Sequence, residues 1–322
     1  MLLLKRSDVE GLLPLEDFGK IIDIVEGAFK EYAYGTVQMP PKQYLNFERH
    51  EGDLRIMPSY LARADIAGTK IVNVHTRNKG LPTVMAVIVL NDPKTGEPIS
   101  MMDGTYITSL RTGAAAAIAT KYLAKEEGSS LGVVGAGVQS KQQIKAISVV
   151  RDLDEILVSD VRDGAVENLA KEMKGLGIAI RKGDLKQVCS NEILSTITPV
   201  RTPIVKREWI RAGTHINAIG ADAKGKEELD PRILKDAKLV IDDWEQASHS
   251  GEINVPLEKG IITREDIYST LGDIVIGKKK GRTGDEITVF DSTGLSIQDI
   301  SLANHVYESA LKRGIGWEFG VL

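Results

Sequence analysis

The stretch SLGVVGAGVQS, residues 130 to 140, decides how the rest of the chain is read. A short apolar run (Leu131, Val133, Val134) passes through Gly135-Ala-Gly137 into a helical continuation from Val138. A buried parallel strand that turns at once into a helix needs glycines there. The first permits the tight bend, and the second lets a backbone approach a bound pyrophosphate at the helix N-terminus. Ser140 stands where a third glycine or alanine would complete the fingerprint, a mild departure because serine still allows close helix–strand packing. A GxGxx pattern alone is weak, since glycine turns without a nucleotide are common. Its context strengthens it: the next apolar strand, Ile156 to Val158, ends in Ser159-Asp160, placing an acid where a ribose-binding carboxylate should sit.

Around this stretch the bulk properties narrow the classes. A length of 322 residues suggests two domains, and 42% hydrophobic residues are enough for full cores. A formal charge of -4 argues against nucleic acid or an anionic membrane as partner. The single cysteine, Cys189, excludes an internal disulfide framework and suits a reducing compartment. The opening MLLLKRSD has too short an apolar run for a signal peptide or a membrane span, so a soluble cytoplasmic protein is expected.

Toward the N-terminus, Phe18, Ile21, Ile22, Val25, Phe29 and Tyr32 give Leu15 to Tyr34 the spacing of an amphipathic helix, which Gly35 should stop. Strands are expected at 54–57, 69–75, 83–90 and 99–102, with a hairpin turn at Asn91 to Gly96, forming a largely antiparallel or mixed sheet. Thr108 to Lys125 reads as a helix capped by Thr108 or Ser109, linking the two halves. Beyond Asp160, strands expected at 178–181, 192–198, 214–220, 238–242 and 287–290 alternate with helices. The fold class is therefore α/β: a Rossmann-type doubly wound parallel sheet plus a smaller, discontinuous α+β domain. The expected limits are 1–115 with 300–322 for the smaller domain, since Ser296 to Lys312 reads as a helix returning to it, and 116–299 for the other.

Four further stretches resemble the ornithine cyclodeaminase/mu-crystallin family: GTKIVNVH (68–75), MDGTYITSLRTGAAAAIATKYLA (102–124), INAIGADAKGKEELD (216–230) and FDSTGLSIQDI (290–300). With the GAG turn they span most of the chain, and within the family they look most like the archaeal alanine dehydrogenases. The resemblance implies a homodimer built through the first domain, a catalytic cleft between domains, and NAD(P)-dependent chemistry at an amino-acid or imine carbon.

Arg111, read as lying in the first turn of the linking helix, has the fork geometry to clamp a carboxylate or phosphate, helped there by the helix field. A lone arginine is more often a solvated surface charge; the resemblance implies a substrate-carboxylate ligand. Lys70 in an alternating strand would ordinarily face water, whereas a desolvated lysine has a lowered pKa and can handle protons near neutrality. The family places an essential lysine in this motif. Asp222 stands just past a strand end, where an aspartate commonly caps a turn; the resemblance implies that it manages the substrate amine. Lys42 and Arg55 are further substrate-binding candidates, and Lys42 lies near where many relatives carry an arginine. Each could equally be a surface charge.

For the cofactor, Gly135, Gly137, Val138 and Gln139 should approach the pyrophosphate, with Arg111 and Thr112 nearby. Asp160, followed by Val161 and Arg162, should meet the adenosine ribose. An acid there repels a 2′-phosphate and favours NAD, although Arg162 could accommodate that phosphate. By analogy with the family, Thr198, Gly220 and Ser292 line the nicotinamide end. The five histidines show no ligand spacing, so no metal is indicated. The resemblance thus implies an NAD-dependent L-alanine dehydrogenase. Ornithine cyclodeaminase and cyclic-imine reductase are rivals on the same scaffold, and a crystallin-like protein binding NAD(P) and a small ligand is the rival of another class.

Overall fold

The computed structural model describes residues 1–320 and divides into two compact units, Met1–Arg111 with Leu295–Leu322 and Thr112–Gly294. The first unit is built on a mixed sheet. Its strands run in the order Trp317–Glu318, Leu2–Leu4, Pro98–Asp103, Val84–Asn91, Ile66–His75, Gly52–Leu61 and Val37–Gln38, with Gln43–Phe47 also pairing Gly52–Leu61. All pairings are antiparallel except that of Leu2–Leu4 with Pro98–Asp103. The apolar opening of the chain, too short to signal an element by its pattern, is thus a sheet strand that finds its partners about a hundred residues and three hundred residues away.

Strand alternation puts Met57, Lys70, Val72, Ala86 and Ile88 on one face, where Met57, Val72 and Ala86 form a packed cluster. The amphipathic helix Phe18–Ala33 and the helix Ser296–Arg313 pack on each other, and the latter lies on the central strands. Gly68 permits that approach. A Cβ there would meet the Val89 carbonyl oxygen of the neighbouring strand at 2.7 Å and Ile300 Cδ1 of the helix at 2.8 Å, so a side chain would crowd both the sheet and the helix packed on it.

The linking helix departs from expectation. It spans Gly104–Leu123, so Thr108 and Ser109 lie inside it rather than capping it, and Arg111 sits two turns in rather than at the N-terminus. Asp103 supplies the cap, its Oδ2 accepting from the Tyr106 backbone N–H at 2.9 Å. The helix-terminus field invoked for Arg111 therefore does not act on it.

The second unit is an all-parallel sheet ordered Ile180–Lys182, Glu155–Ser159, Ser130–Val134, Ile193–Thr196, His215–Ala218, Thr288–Asp291, Lys238–Ile241, Ile267–Thr270. The chain leaves the central strand Ser130–Val134 in one direction, then returns to its other side at Ile193–Thr196. That is the topological switch point of a doubly wound sheet, and the carboxyl ends of the strands beside it form the ligand crevice of such folds. The strand Ile267–Thr270 and the helices Pro231–Asp236, Trp244–Ser250 and Asn254–Glu258 lay outside the sequence expectation. All are short, and the strand's apolar signal is weak.

Gly132 marks a tight point of this core. A Cβ there would drive into the backbone carbonyl oxygen of Val188, on the helix Leu185–Cys189 packed against the central strand. Gly132→Ala should cost about 3 kcal/mol and lower the thermal midpoint by roughly 10 °C; an unchanged melting curve would show that the helix can give way.

Candidate active site

In the first unit the buried face of the sheet holds a charge cluster. Lys70 is 1% exposed and its ammonium lies 2.7 Å from Asp299 Oδ2, while the other oxygen of that carboxylate accepts from Arg111 Nε at 3.2 Å. Arg111 Nη1 donates to Gln298 Oε1, also at 3.2 Å. Three elements supply these groups: the strand Ile66–His75, the helix Gly104–Leu123 and the helix Ser296–Arg313. Lys70 therefore does not follow the common habit of a strand lysine. The register pairs it with Met57 and Ile88, so it points into the core beside the last helix.

Burial pushes the Lys70 ammonium down to about 7; Asp299 raises it, and the charges of Arg111 and Lys42 lower it further. Lys42 is half-buried and acts on Lys70 through this field. Arg55 shares the face but is committed elsewhere. It is 5% exposed, forks onto Asp53 with Nε to Oδ1 at 3.0 Å and Nη2 to Oδ2 at 2.9 Å, and lies over the Tyr44 ring. Neither is a plain surface charge.

In the second unit the glycine turn adopts the geometry its sequence asks for. Gly135 takes φ +106°, a region closed to other L residues, and Gly137 begins the helix Val138–Val150. A Cβ added at Gly137 meets no atom within 4 Å, so its bare backbone fronts open space at a helix N-terminus, as a pyrophosphate requires. Ser140 does more than fit: fully buried, it donates from Oγ to the Gly135 carbonyl oxygen at 2.6 Å and locks the turn. Val138 is exposed and Gln139 half-buried beside it.

Asp160 Oδ2 accepts from the Ala136 backbone N–H at 2.7 Å, tying the acid to the glycine turn. The Arg162 side chain forks onto the same carboxylate at 3.0 and 2.9 Å. These bonds, Arg162's first, hold the Asp160 carboxyl down at about 2 despite partial burial. Arg162 is itself mostly exposed, and Val161 fully so. Thr112 is buried in the linking helix, where its carbonyl oxygen accepts from Gln143 Nε2 at 3.1 Å.

Thr198, Gly220 and Ser292 all follow carboxyl ends of parallel strands. Glu228 fastens the first two: its Oε1 accepts from the Thr198 N–H at 2.7 Å and hydroxyl at 2.6 Å, its Oε2 from the Gly220 N–H at 3.0 Å. Ser292 donates its N–H to the Ala218 carbonyl oxygen at 3.0 Å. Complete burial pushes Glu228 up, against the pull of the Thr198 hydrogen bonds. Asp222, one-third exposed, pairs with Lys226 at 2.5 Å.

The remaining candidates stay structural. His215 is fully buried with its ring bonded to Thr288 and Asn217, and burial pushes it down to about 3. Cys189 is buried, its thiol pushed up to about 12 by desolvation. Among the described residues, no group of His, Cys, Asp or Glu could hold a metal ion, and no helix is long and apolar enough to cross a membrane.

Comparison with known proteins adds to this geometry. The sequence model of the ornithine cyclodeaminase/mu-crystallin family matches residues 1–314. The chain belongs to that family. It is 49% identical to an alanine dehydrogenase of Archaeoglobus fulgidus over 98% of this chain and 97% of that protein. Among solved structures it is similar to an archaeal alanine dehydrogenase dimer with bound NAD, at 48% identity and TM-score 0.95, covering 100% of this chain and 99% of the other. A Thermococcus litoralis Δ1-pyrroline-2-carboxylate reductase in complex with NADH and L-proline matches at 41% identity and TM-score 0.95, over 99% and 100% of the two chains.

Asp299, Gln298, Glu228 and Lys226 belong with the candidate residues, and residue-by-residue reading passed over them. For Asp299 a signal was present: an acid between Ile297 and Ile300 on the apolar stripe of a helix requires a buried cation.

The depressed Lys70 leaves a thermodynamic mark. Between about 7 and its ordinary 10.5, the unfolded chain binds a proton that the folded one does not, so the penalty of burying Lys70 is full at low pH and is relieved as pH rises through that window. Going from pH 7 to 9, the wild type should gain about 2 kcal/mol of unfolding free energy relative to Lys70→Met. Unfolding curves of the two proteins at both pH values measure this; parallel behaviour would mean that Lys70 titrates normally.

Proposed function

We propose that this protein is an NAD-dependent L-alanine dehydrogenase, interconverting L-alanine with pyruvate and ammonia. The observation that carries the reading is the pair of buried cations, Lys70 and Arg111, on one face of the first unit. Two adjacent desolvated cations are costly unless they meet anions, and Asp299 accounts for only one of the two charges. Among the amino acids that family members handle, the 49% identity to a relative named alanine dehydrogenase selects alanine.

In this reading Arg111 and Lys70 grip the substrate carboxylate, Arg111 as a planar fork and Lys70 as a point charge. Asp222 takes the proton of the amine, or of the water that attacks the imine, with Lys226 holding its carboxylate in place. The open helix N-terminus at Gly137, and the Asp160 carboxylate bound back to that turn, suit the pyrophosphate and adenosine ribose of NAD. Bound NAD would supply the hydride acceptor for the substrate Cα; the protein's own part is orientation and proton handling. A homodimer is the assembly we assign, on the likeness to a relative solved as a dimer, and a reducing cytoplasm is the setting that the single cysteine suits.

With L-alanine and NAD, NADH and ammonia should appear together in equal amounts. L-ornithine releasing ammonia without accumulating NADH would make the protein a cyclodeaminase, and silence with both would favour imine reduction or binding alone. Asp222→Ala should lower kcat by roughly 100-fold or more while the NAD dissociation constant stays within a few-fold; equal losses in both would remove Asp222 from its role.

A further inference from the structure

Three charged side chains meet in the first unit with almost no water. Asp299 is fully buried, Lys70 is 1% exposed and Arg111 is 8% exposed. Each oxygen of Asp299 is given to a different cation, Oδ2 to Lys70 and Oδ1 to Arg111. The carboxylate is therefore the bridge between them, and it comes from a helix that the close approach at Gly68 seats on the sheet. Gln298, one residue earlier, accepts a second Arg111 N–H and also takes the Leu295 backbone N–H at 3.3 Å, anchoring the first turn of that helix.

Donor and charge counts say what this bridge does. An arginine has five N–H donors and a protonated lysine three. Arg111 spends one on Asp299 and one on Gln298, and Lys70 spends one on Asp299, so both retain donors for an incoming anion. Two cations and one carboxylate leave a single positive charge. We propose that Asp299 is the positioning residue of this site: it holds Lys70 and Arg111 side by side and cancels one of their two charges, so that the trio receives one carboxylate group. This rests on the reading of Lys70 and Arg111 as the substrate grip, and Asp299 reaches substrate only through them.

Every group facing Lys70 bears on the outcome. The last helix brings Asp299, the linking helix brings Arg111, and the segment before Gln43–Phe47 brings Lys42. The neighbouring strands present apolar Met57 and Ile88, and Arg55 on that face is already neutralised by Asp53. Asp299 is thus the acid that opposes two cations. Without it Lys70 faces Arg111 and Lys42 unbalanced, and of the buried pair Lys70 and Arg111 only the lysine can shed its proton near neutrality.

The test uses the whole enzyme as wild type, Asp299→Asn and Asp299→Glu. Nitrogen-15 NMR of the Lys70 side chain, assigned by its loss in Lys70→Gln, follows protonation independently of turnover. In parallel, kcat/KM for pyruvate with NADH and ammonium is followed against pH. In Asp299→Asn the Lys70 midpoint should fall by about one unit or more, the pyruvate limb should move down with it, and KM for pyruvate should rise about tenfold while NADH binding is unchanged. Asp299→Glu should restore the midpoint. An unmoved Lys70 midpoint in Asp299→Asn, or one that Asp299→Glu fails to restore, overturns the proposal. If the midpoint shifts as expected but the wild type turns over neither alanine nor pyruvate, the positioning role stands and the alanine reading falls.

Discussion

The first unit depends on one buried carboxylate. Taking Asp299, Lys70 and Arg111 out of water costs several kcal/mol per ion, and such a group of charges is tolerated only when every charge has a close, well-aligned partner. Here the partners come from a central strand, the helix that follows the sheet and the last helix of the unit, at 2.7 and 3.2 Å. An apolar trio of the same volume would pack the same elements with less penalty. The fold brings the one carboxylate to both cations: Gly68 seats the helix that carries Asp299, and strand alternation turns Lys70 inward to meet it.

The second unit solves a different problem, that of holding bare backbone in place. A glycine turn is useful to an anion only if it keeps its shape without side chains, and here two hydrogen-bonding acids and one serine fasten the turn and the strand ends beside it. Ser140 locks Gly135 from the helix, Asp160 takes the Ala136 N–H, and Glu228 gathers Thr198 and Gly220. Glu252 extends the set, accepting the N–H groups of Glu228 and Leu229 at 2.8 and 2.6 Å. Burial, and after it the neighbouring Glu228, pushes its carboxyl well up.

What could be read from the sequence was local. The GAG turn, the parallel alternation after it and the hairpin at Asn91 to Gly96 each contain their own cause within a few residues, and the structure repeats them. The pairing of Leu2–Leu4 with strands at both ends of the unit has no local cause, and the start of the linking helix turned on a single cap at Asp103 that the alanine run downstream concealed. Among the site residues, Lys70, Arg111 and Asp222 stood out through family motifs. Asp299 and Glu228 stood in those same motifs unnoticed, because a side chain that touches other side chains is defined by distant partners, one 229 residues away in the case of Asp299 and Lys70 (299 less 70).

The choice of one lysine and one arginine has its own physical content. Two arginines would present a fixed double charge at every accessible pH, since guanidinium does not lose its proton. Replacing one by a lysine that burial has brought to about 7 makes half of the grip titratable near neutrality. An arriving carboxylate favours the charged form and raises that value, so protonation and anion binding reinforce one another. On the proposed reading, affinity for a carboxylate would depend on pH through Lys70, with Arg111 as the constant part. Asp299 sets the balance: its single charge is enough to keep Lys70 responsive rather than permanently neutral, and too little to satisfy both cations. On the proposed reading, the incomplete neutralisation is what would let the pair take a substrate carboxylate.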